Sequence, residues 1–334
     1  MKSIFDNSDI LITGGTGSFG TAFVEYILKN YNPSRLIIFS RDEFKQFNMS
    51  QKIDKKYKDK VRFFIGDVRD KERLRRAMNK VNVVVHAAAM KHVAASEYNP
   101  IEAIKTNIIG AENVINTSID EGVSNIIALS TDKAANPMNL YGATKLCSDK
   151  LFVAANNIVG SGSSKFSVVR YGNVLGSRGS VVEIFKNIVK NKKSFIPITD
   201  PDMTRFWITL EQGVKFVISC IDNMVGGEIF IPKIPSMKLI DMANHLAPGY
   251  KHKIIGIRSG EKLHEVMITK DDAINTLEFK DRYIIIPRNI IKYTNKSYMV
   301  YKEKGRSVDK DFEYSSDNNS EWLDKKALQN LIGS

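Results

Sequence analysis

Two short runs of this chain carry groups able to move protons. Thr131-Asp132-Lys133 lies eight residues before Tyr141-Gly142-Ala143-Thr144-Lys145, counted from Lys133 to Tyr141, so a hydroxyl, an acid, a phenol and two amines fall in one stretch. On a helix, a tyrosine four residues before a lysine lies one turn away on the same face. An ammonium there lowers the phenol's pKa and makes it a base near neutral pH. That pair suits removal of a hydride from a carbinol, which needs one base. Asp132-Lys133 adds a second acid and base, which fits further proton transfers, and elimination of water is the natural one. The plain alternatives are a surface ion pair at a strand end for Asp132-Lys133 and a solvated lysine for Tyr-x-x-x-Lys.

A hydride acceptor needs a cradle, and the amino end offers one. Asp9-Ile10-Leu11-Ile12-Thr13 reads as a short apolar strand, followed directly by Gly14-Gly15-Thr16-Gly17-Ser18-Phe19-Gly20, which opens an apolar-periodic helix through Leu28. Gly14, Gly17 and Gly20 permit a tight turn and close approach of backbone to phosphate. The helix start supplies free N–H groups and the positive end of its dipole. Strand, loop and helix in that order make the glycine triplet a strong signal for a dinucleotide.

The next strand, Leu36 to Ser40, ends at Arg41, where such a unit places its ribose-reading residue. A guanidinium binds a 2′-phosphate in fork geometry, so NADP is favoured over NAD. The alternative is an exposed arginine beside Asp42. A third strand, Arg62 to Ile65, delivers Asp67 and Val68 to the same edge, where an adenine would lie. A fourth, Val83 to Val85, runs through His86 into Ala87-Ala88-Ala89, small residues that let the chain pass close to the cofactor. These strands are apolar runs rather than alternating ones, as a parallel sheet covered on both faces requires.

Helices are expected near 100–119, 139–158 and 181–191, with a sixth strand over Phe166 to Tyr171. The predicted fold class is therefore α/β: a doubly wound parallel Rossmann sheet over residues 1–180. A smaller mixed α/β substrate lobe follows over 181–334, some of whose segments can return to the first domain. At 334 residues the chain suits two domains by the usual prior of roughly 150 residues each. The net charge of +12 is spread without a dense basic run, which argues against nucleic acid. Cys147 and Cys220 are too few for a disulfide framework, and no spacing suits a metal. With no cleavable signal and no apolar run of ~20 residues, a cytoplasmic protein outside the membrane is expected. Trp207 and Phe206 read as core. The segment from Phe312 to Asn319 reads as either an arm packed over the site or a loose tail.

Taken together, Thr13 to Gly20, Ser40-Arg41-Asp42-Glu43, Ala87 to His92, Ser130 to Ala134 and Tyr141 to Lys145 resemble the extended short-chain dehydrogenase/reductase superfamily. Within it the chain is similar to the inverting UDP-N-acetylglucosamine 4,6-dehydratases that begin pseudaminic acid synthesis. The likeness continues through Arg170 to Val174, Ser177 to Ser180, Met203 to Trp207, Pro232 to Met237, Gly256-Ile257-Arg258 and Phe312 to Asn319. The chain departs from the family pattern at Ala94-Ala95-Ser96, in a loop that borders the sugar. Retaining dehydratases carry Asp-Glu in place of Asp132-Lys133, and sugar epimerases usually lack both.

The resemblance implies a UDP-sugar substrate, an NADP cofactor, no metal and a homo-oligomer, either dimer or hexamer. It implies cofactor contacts from Gly14, Thr16, Gly17, Ser18, Phe19, Gly20, Ser40, Arg41, Asp42, Lys45, Asp67, Val68, Ala87, Ala88, Ala89, Tyr141, Lys145 and Val174. It implies substrate contacts from Lys91, Thr131, Asn173, Arg178, Thr199, Arg205 and Arg258. Tyr141, assisted by Lys145, would take the O4 proton as C4 is oxidised, and Thr131 would donate a hydrogen bond to O4. Lys133, kept neutral by desolvation and neighbouring cations, would remove the C5 hydrogen, while Asp132 protonates the departing C6 hydroxyl. Hydride returns to C6 and a proton reaches C5 from the opposite face. A C4 epimerase, a retaining dehydratase and a non-catalytic NADP-binding protein are the alternatives.

Overall fold

The computed structural model describes residues 3–160, 162–177, 179–287 and 295–333. It begins with four βα-type steps: β1 (Asp9–Thr13), α1 (Ser18–Asn30), β2 (Arg35–Ser40), α2 (Glu43–Lys52), β3 (Val61–Ile65), α3 (Lys71–Met78) and β4 (Val83–His86). Helices α4 (Val93–Tyr98), α5 (Pro100–Ile104) and α6 (Gly110–Asp120) follow, the last two joined by a π-helical turn over Lys105–Ile109. Strand β5 (Asn125–Thr131) runs into a 3-10 turn over Asp132–Ala134, then α7 (Leu140–Ile158), β6 (Lys165–Tyr171), β7 (Asn173–Leu175) and α8 (Val181–Lys190). The three expected helices thus lie where the periodicity places them.

The remaining elements are β8 (Phe195–Ile198), β9 (Thr204–Thr209), α9 (Leu210–Asn223), β10 (Ile229–Pro232), β11 (Ser236–Lys238), α10 (Leu239–Leu246), β12 (Lys251–Ile254), β13 (Val266–Ile268), α11 (Lys270–Ala273), β14 (Thr276–Glu278), β15 (Arg282–Ile285), α12 (Asn295–Lys304), β16 (Arg306–Ser307), β17 (Tyr314–Ser315) and α13 (Lys325–Gly333). The main sheet has ten strands in the order β16-β14-β15-β10-β6-β5-β4-β1-β2-β3. From β3 to β10 all neighbours are parallel, and β15, β14 and β16 add an antiparallel edge. Starting at β3, the order 3-2-1-4-5-6 is that of a doubly wound dinucleotide fold, whose strand order reverses beside β1. Ligands bind such sheets at the carboxyl ends of the strands, where Gly14, Arg41, Ala87 and Asp132 all emerge.

Burial explains the uninterrupted apolar strands. Ile10, Leu11 and Ile12, Leu36 to Ile38 and Val83 to Val85 are fully inaccessible, packed between helices on both faces. The chain from 195 onward is shared between two places. Strand β10 and the antiparallel edge extend the main sheet, while β8 with β12 and β7 with β9 and β11 form small sheets beside it. Phe206 and Trp207 on β9 are core residues, 0% and 1% exposed.

Candidate active site

The phosphate cradle is built by backbone constraint. Gly14 adopts φ +65°, and a Cβ there would sit 2.9 Å from the backbone of Ala87, so only glycine lets β1 and β4 deliver their loops together. Gly17 caps α1 without a side-chain hydrogen bond, and the positive end of that helix's dipole favours an anion there. Thr13, fully buried, ties the two strand ends together: its Oγ1 accepts from the amides of Ala87 and Ala88 at 3.2 Å and meets His86 Nδ1 at 2.9 Å.

Above this loop lies an open cavity of about 760 Å³, a size ordinary for a ligand site. Its walls include Gly14, Thr16, Gly17, Ser18, Phe19 and Gly20 at one end, then Ser40, Arg41, Asp42, Lys45, Asp67 and Val68. Ala87, Ala88, Ala89, Lys91, Thr131, Lys133, Tyr141, Asn173 and Val174 line the rest. Asp132 and Lys145 stand directly behind that wall, 0% and 3% exposed. Of the other expected substrate contacts, Thr199, Arg205 and Arg258 do not line the cavity, and Arg178 lies outside the described residues.

Arg41 extends into solvent with 59% of its side chain exposed and meets Asp67 at 3.5 Å. Partial burial pushes the Asp67 carboxyl up, but Arg69 and then Arg41 outweigh it and hold Asp67 below the usual carboxylate range. Asp42 caps α2 by accepting from the amide of Lys45 at 2.9 Å, and Lys45 Nζ returns to Asp42 at 2.7 Å.

The proton-moving groups sit where β5 ends. Thr131 Oγ1 donates to Asp132 Oδ1 at 2.8 Å, and Lys133 Nζ donates to the same oxygen at 3.1 Å. Helix α7 is pressed against this turn: a Cβ on Gly142 would fall 2.2 Å from the Lys133 carbonyl oxygen. Asn139 fixes the start of α7 by accepting from the Gly142 amide at 2.8 Å, and it also donates to the carbonyl of Gly260 at 2.8 Å. Tyr141 is thereby held beside Thr131 and within the field of Lys133.

Two electrostatic expectations are corrected by this arrangement. Lys133 is not kept neutral. Burial pulls its pKa down, but Asp132 and, from the far side, Glu265 at 3.0 Å outweigh burial and hold it as an ammonium. Tyr141 is not poised near neutrality: burial raises it to about 12, against which Lys133, rather than Lys145, is the opposing cation. Lys145 points instead into a sealed layer, where burial lowers its pKa and Asp149 opposes the shift. Asp149 is itself shared with Arg170 at 3.4 Å and Ser130 at 2.8 Å.

Several participants carry no local sequence signal. Glu265, 2% exposed, contacts Lys133 and lies 3.7 Å from Arg205. Arg205 gives its guanidinium to the carbonyls of Thr204, Leu263 and Lys262 at 2.7, 3.0 and 2.9 Å, which places it as a brace behind Glu265. Asn107, in the π-helical turn, accepts from Met90 N at 2.8 Å and donates to Thr144 Oγ1 at 3.0 Å, locking the loop after β4 to α7. The Phe312 to Asn319 segment is a packed arm: Tyr314, Ser315, Ser316 and Asn319 are buried, and β17 pairs with β13.

A family model described as "Polysaccharide biosynthesis protein" matches residues 10–287. The chain belongs to the polysaccharide biosynthesis protein family. Within this family it is 57% identical over 331 residues to the UDP-N-acetylglucosamine 4,6-dehydratase (inverting) of Campylobacter jejuni subsp. jejuni serotype O:23/36 (strain 81-176), covering 98% of each chain. It is 37% identical over 336 residues to a UDP-glucose 4-epimerase of Rickettsia akari (strain Hartford), covering 98% of this chain and 96% of that relative. Among solved structures, the X-ray structure of Pen from Bacillus thuringiensis superposes with a TM-score of 0.87 at 36% identity, covering 98% of both chains. The resemblance to the inverting dehydratases read from the motifs therefore holds over nearly the whole length of this polysaccharide biosynthesis protein.

Proposed function

We propose that the chain is an inverting UDP-N-acetylglucosamine 4,6-dehydratase that works with NADP and feeds pseudaminic acid-type sugar synthesis. The observation that carries this reading is that Lys133 and Tyr141 line one wall of the cavity that the glycine loop opens, with Asp132 directly behind it in contact with Lys133. The 57% identity to a named inverting dehydratase supports it, and the Rickettsia epimerase at 37% identity gives the alternative its weight.

The cradle fits a dinucleotide, because Gly14 and Gly17 let the backbone turn tightly at the positive end of the α1 dipole. Such a cofactor, when bound, supplies a hydride acceptor at C4 and a hydride donor at C6. Arg41 at the adjoining strand end supplies a fork for a 2′-phosphate, and releasing it from Asp67 costs only an exposed ion pair.

Tyr141 is a neutral phenol at rest because burial raises it to about 12, so it first releases its own proton to solvent through the open cavity beside the Lys133 ammonium. It then takes the proton from the sugar's O4, while the Thr131 hydroxyl turns from Asp132 to the sugar and steadies the developing ketone. A resting ammonium cannot serve as a base, so Lys133 first passes one proton to Asp132 across their 3.1 Å contact. The neutral amine then takes the C5 hydrogen as a proton, and Asp132 delivers the proton it received to the departing C6 hydroxyl, which leaves as water. The transfer creates the acid and the base together, and the charges balance throughout. A proton returned to C5 from the opposite face inverts that centre. Lys91 and Asn173, on the same cavity wall, are placed to meet the nucleotide sugar. A homo-oligomer is supported by apolar side chains left exposed on α4, α5 and α7, namely Tyr98, Ile101 and Ile158.

Incubation with UDP-N-acetylglucosamine and NADP in deuterated water, followed by NMR, tests the proposal. A C6 methyl group, deuterium at C5 and the L-configuration are expected. Inversion at C4 with the C6 hydroxyl retained would instead establish an epimerase.

A further inference from the structure

The geometry points to Glu265 as a further positioning residue of the proposed reaction, one that acts through Lys133 by fixing its amine against Asp132 from the opposite lobe. The inference rests on the dehydratase reading, since it concerns the amine that reading places at C5.

Lys133 Nζ is held between two carboxylates delivered by unrelated parts of the chain. Asp132, its own neighbour, lies at 3.1 Å, and Glu265, 132 residues away, lies at 3.0 Å. Two buried carboxylates around a side chain that lines the cavity define where the amine stands far better than one does, because a lysine stem is otherwise free to rotate.

The structure goes to some length to hold Glu265. Its amide donates to Ser316 Oγ at 2.9 Å, and the Ser316 amide donates back to its carbonyl at 2.8 Å, so β13 and the carboxyl-terminal arm clamp it on both sides. Ser316 in turn meets Thr204 Oγ1 at 2.6 Å, and His264 Nδ1 meets the same hydroxyl at 2.8 Å. Arg205, pinned by three backbone carbonyls, faces the Glu265 carboxylate from behind at 3.7 Å. The second carboxylate oxygen of Glu265 is buried with no hydrogen-bond partner, so the group is not consumed by holding the fold together.

The charged and titratable groups that face Lys133 are Asp132 on its own turn, Tyr141 on α7, Arg205 on β9, and Lys262 and Glu265 on the segment before β13. Removing the Glu265 charge leaves Asp132 as the single anion among them. The ammonium then loses its proton more readily but also loses one of its two anchors.

The test compares wild-type holoenzyme with Glu265→Gln and Glu265→Asp, all saturated with NADP, by measuring kcat and KM for water loss from UDP-N-acetylglucosamine across pH. Glu265→Gln is expected to lower kcat about tenfold with KM within about twofold, and to move the acid limb of the kcat profile to lower pH by about one unit. Glu265→Asp, with a carboxylate one methylene further back, should place that limb between the other two. An acid limb that stays in place in Glu265→Gln overturns the inference, however far the profile falls, because a residue that only supports the fold changes its height alone. If Glu265→Gln does not fold, the Asp variant decides by the same criterion. A wild-type enzyme that yields no C6-methyl product would refute the dehydratase reading itself, which is a separate failure.

Discussion

Lys133 and Lys145 stand twelve residues apart, one lining the cavity and the other behind its wall, and their surroundings drive them in opposite directions. Lys145 is sealed behind Tyr141, 3% exposed, with one carboxylate, Asp149, that Arg170 also claims. Burial wins there, and the amine is pushed toward its neutral form. Lys133 faces the cavity between two carboxylates, and the anions win. Burial alone therefore does not fix the state of a lysine; the number of anions that the fold brings to it does. The two amines suit different work: Lys145 is pushed toward neutrality in the sealed layer beside Asp149, while Lys133 carries a proton that it can exchange with Asp132.

Removing the single anion should expose the contrast most strongly. Asp149→Asn leaves Lys145 facing no full carboxylate and Arg170 only Asp272 at 3.5 Å, and should cost about 3–5 kcal/mol in denaturant unfolding. Glu265→Gln should cost clearly less, since Lys133 keeps Asp132. Equal costs would break the comparison.

His86 reports the charge on Lys145. Burial first, and Lys145 second, hold its pKa down to about 3. The folded protein therefore keeps His86 neutral while the unfolded chain protonates near pH 6.5, so this stability is complete above about 6.5 and lost as pH falls toward 3. The loss attributable to His86 between pH 6.5 and 4 is about 3 kcal/mol. It should appear as the difference between wild type and His86→Gln in denaturation at each pH, and Lys145→Met should shrink it.

Gly142→Ala sharpens the comparison geometrically, since the added Cβ would lie 2.2 Å from the Lys133 carbonyl and must shift one catalytic amine relative to the other. Dehydration should fall on the order of a hundredfold with cofactor binding retained, measured by kcat and by NADP titration. Arg41→Ala serves as the smallest perturbation, remote from both lysines. It should weaken NADP about tenfold and leave NAD nearly unchanged in binding titrations.

Much of this was legible in the sequence, for a physical reason. The glycine loop, Arg41 and Asp132-Lys133 follow the carboxyl ends of the parallel strands β1, β2 and β5, and Tyr141-Lys145 opens the helix after β5, so local order predicts spatial proximity. Glu265 was not legible, because it reaches Lys133 only after β10, β14 and β15 have returned to the main sheet and the arm has closed behind it. Arg205 shows the converse. Its type suits a diphosphate, but the loop carbonyls of Lys262 and Leu263 fold over its guanidinium. Charge states were hidden because burial, the largest influence on Lys133, Tyr141 and Lys145, is set by the whole fold, and because Lys133 also depends on the distant Glu265.

The division of labour between the two amines is tested most directly by a single turnover of Lys133→Ala with UDP-N-acetylglucosamine in deuterated water, monitored by nicotinamide absorbance and NMR. Oxidation at C4 should proceed, with no deuterium at C5 and no C6 methyl group. Water loss at the wild-type rate in that variant would contradict the account.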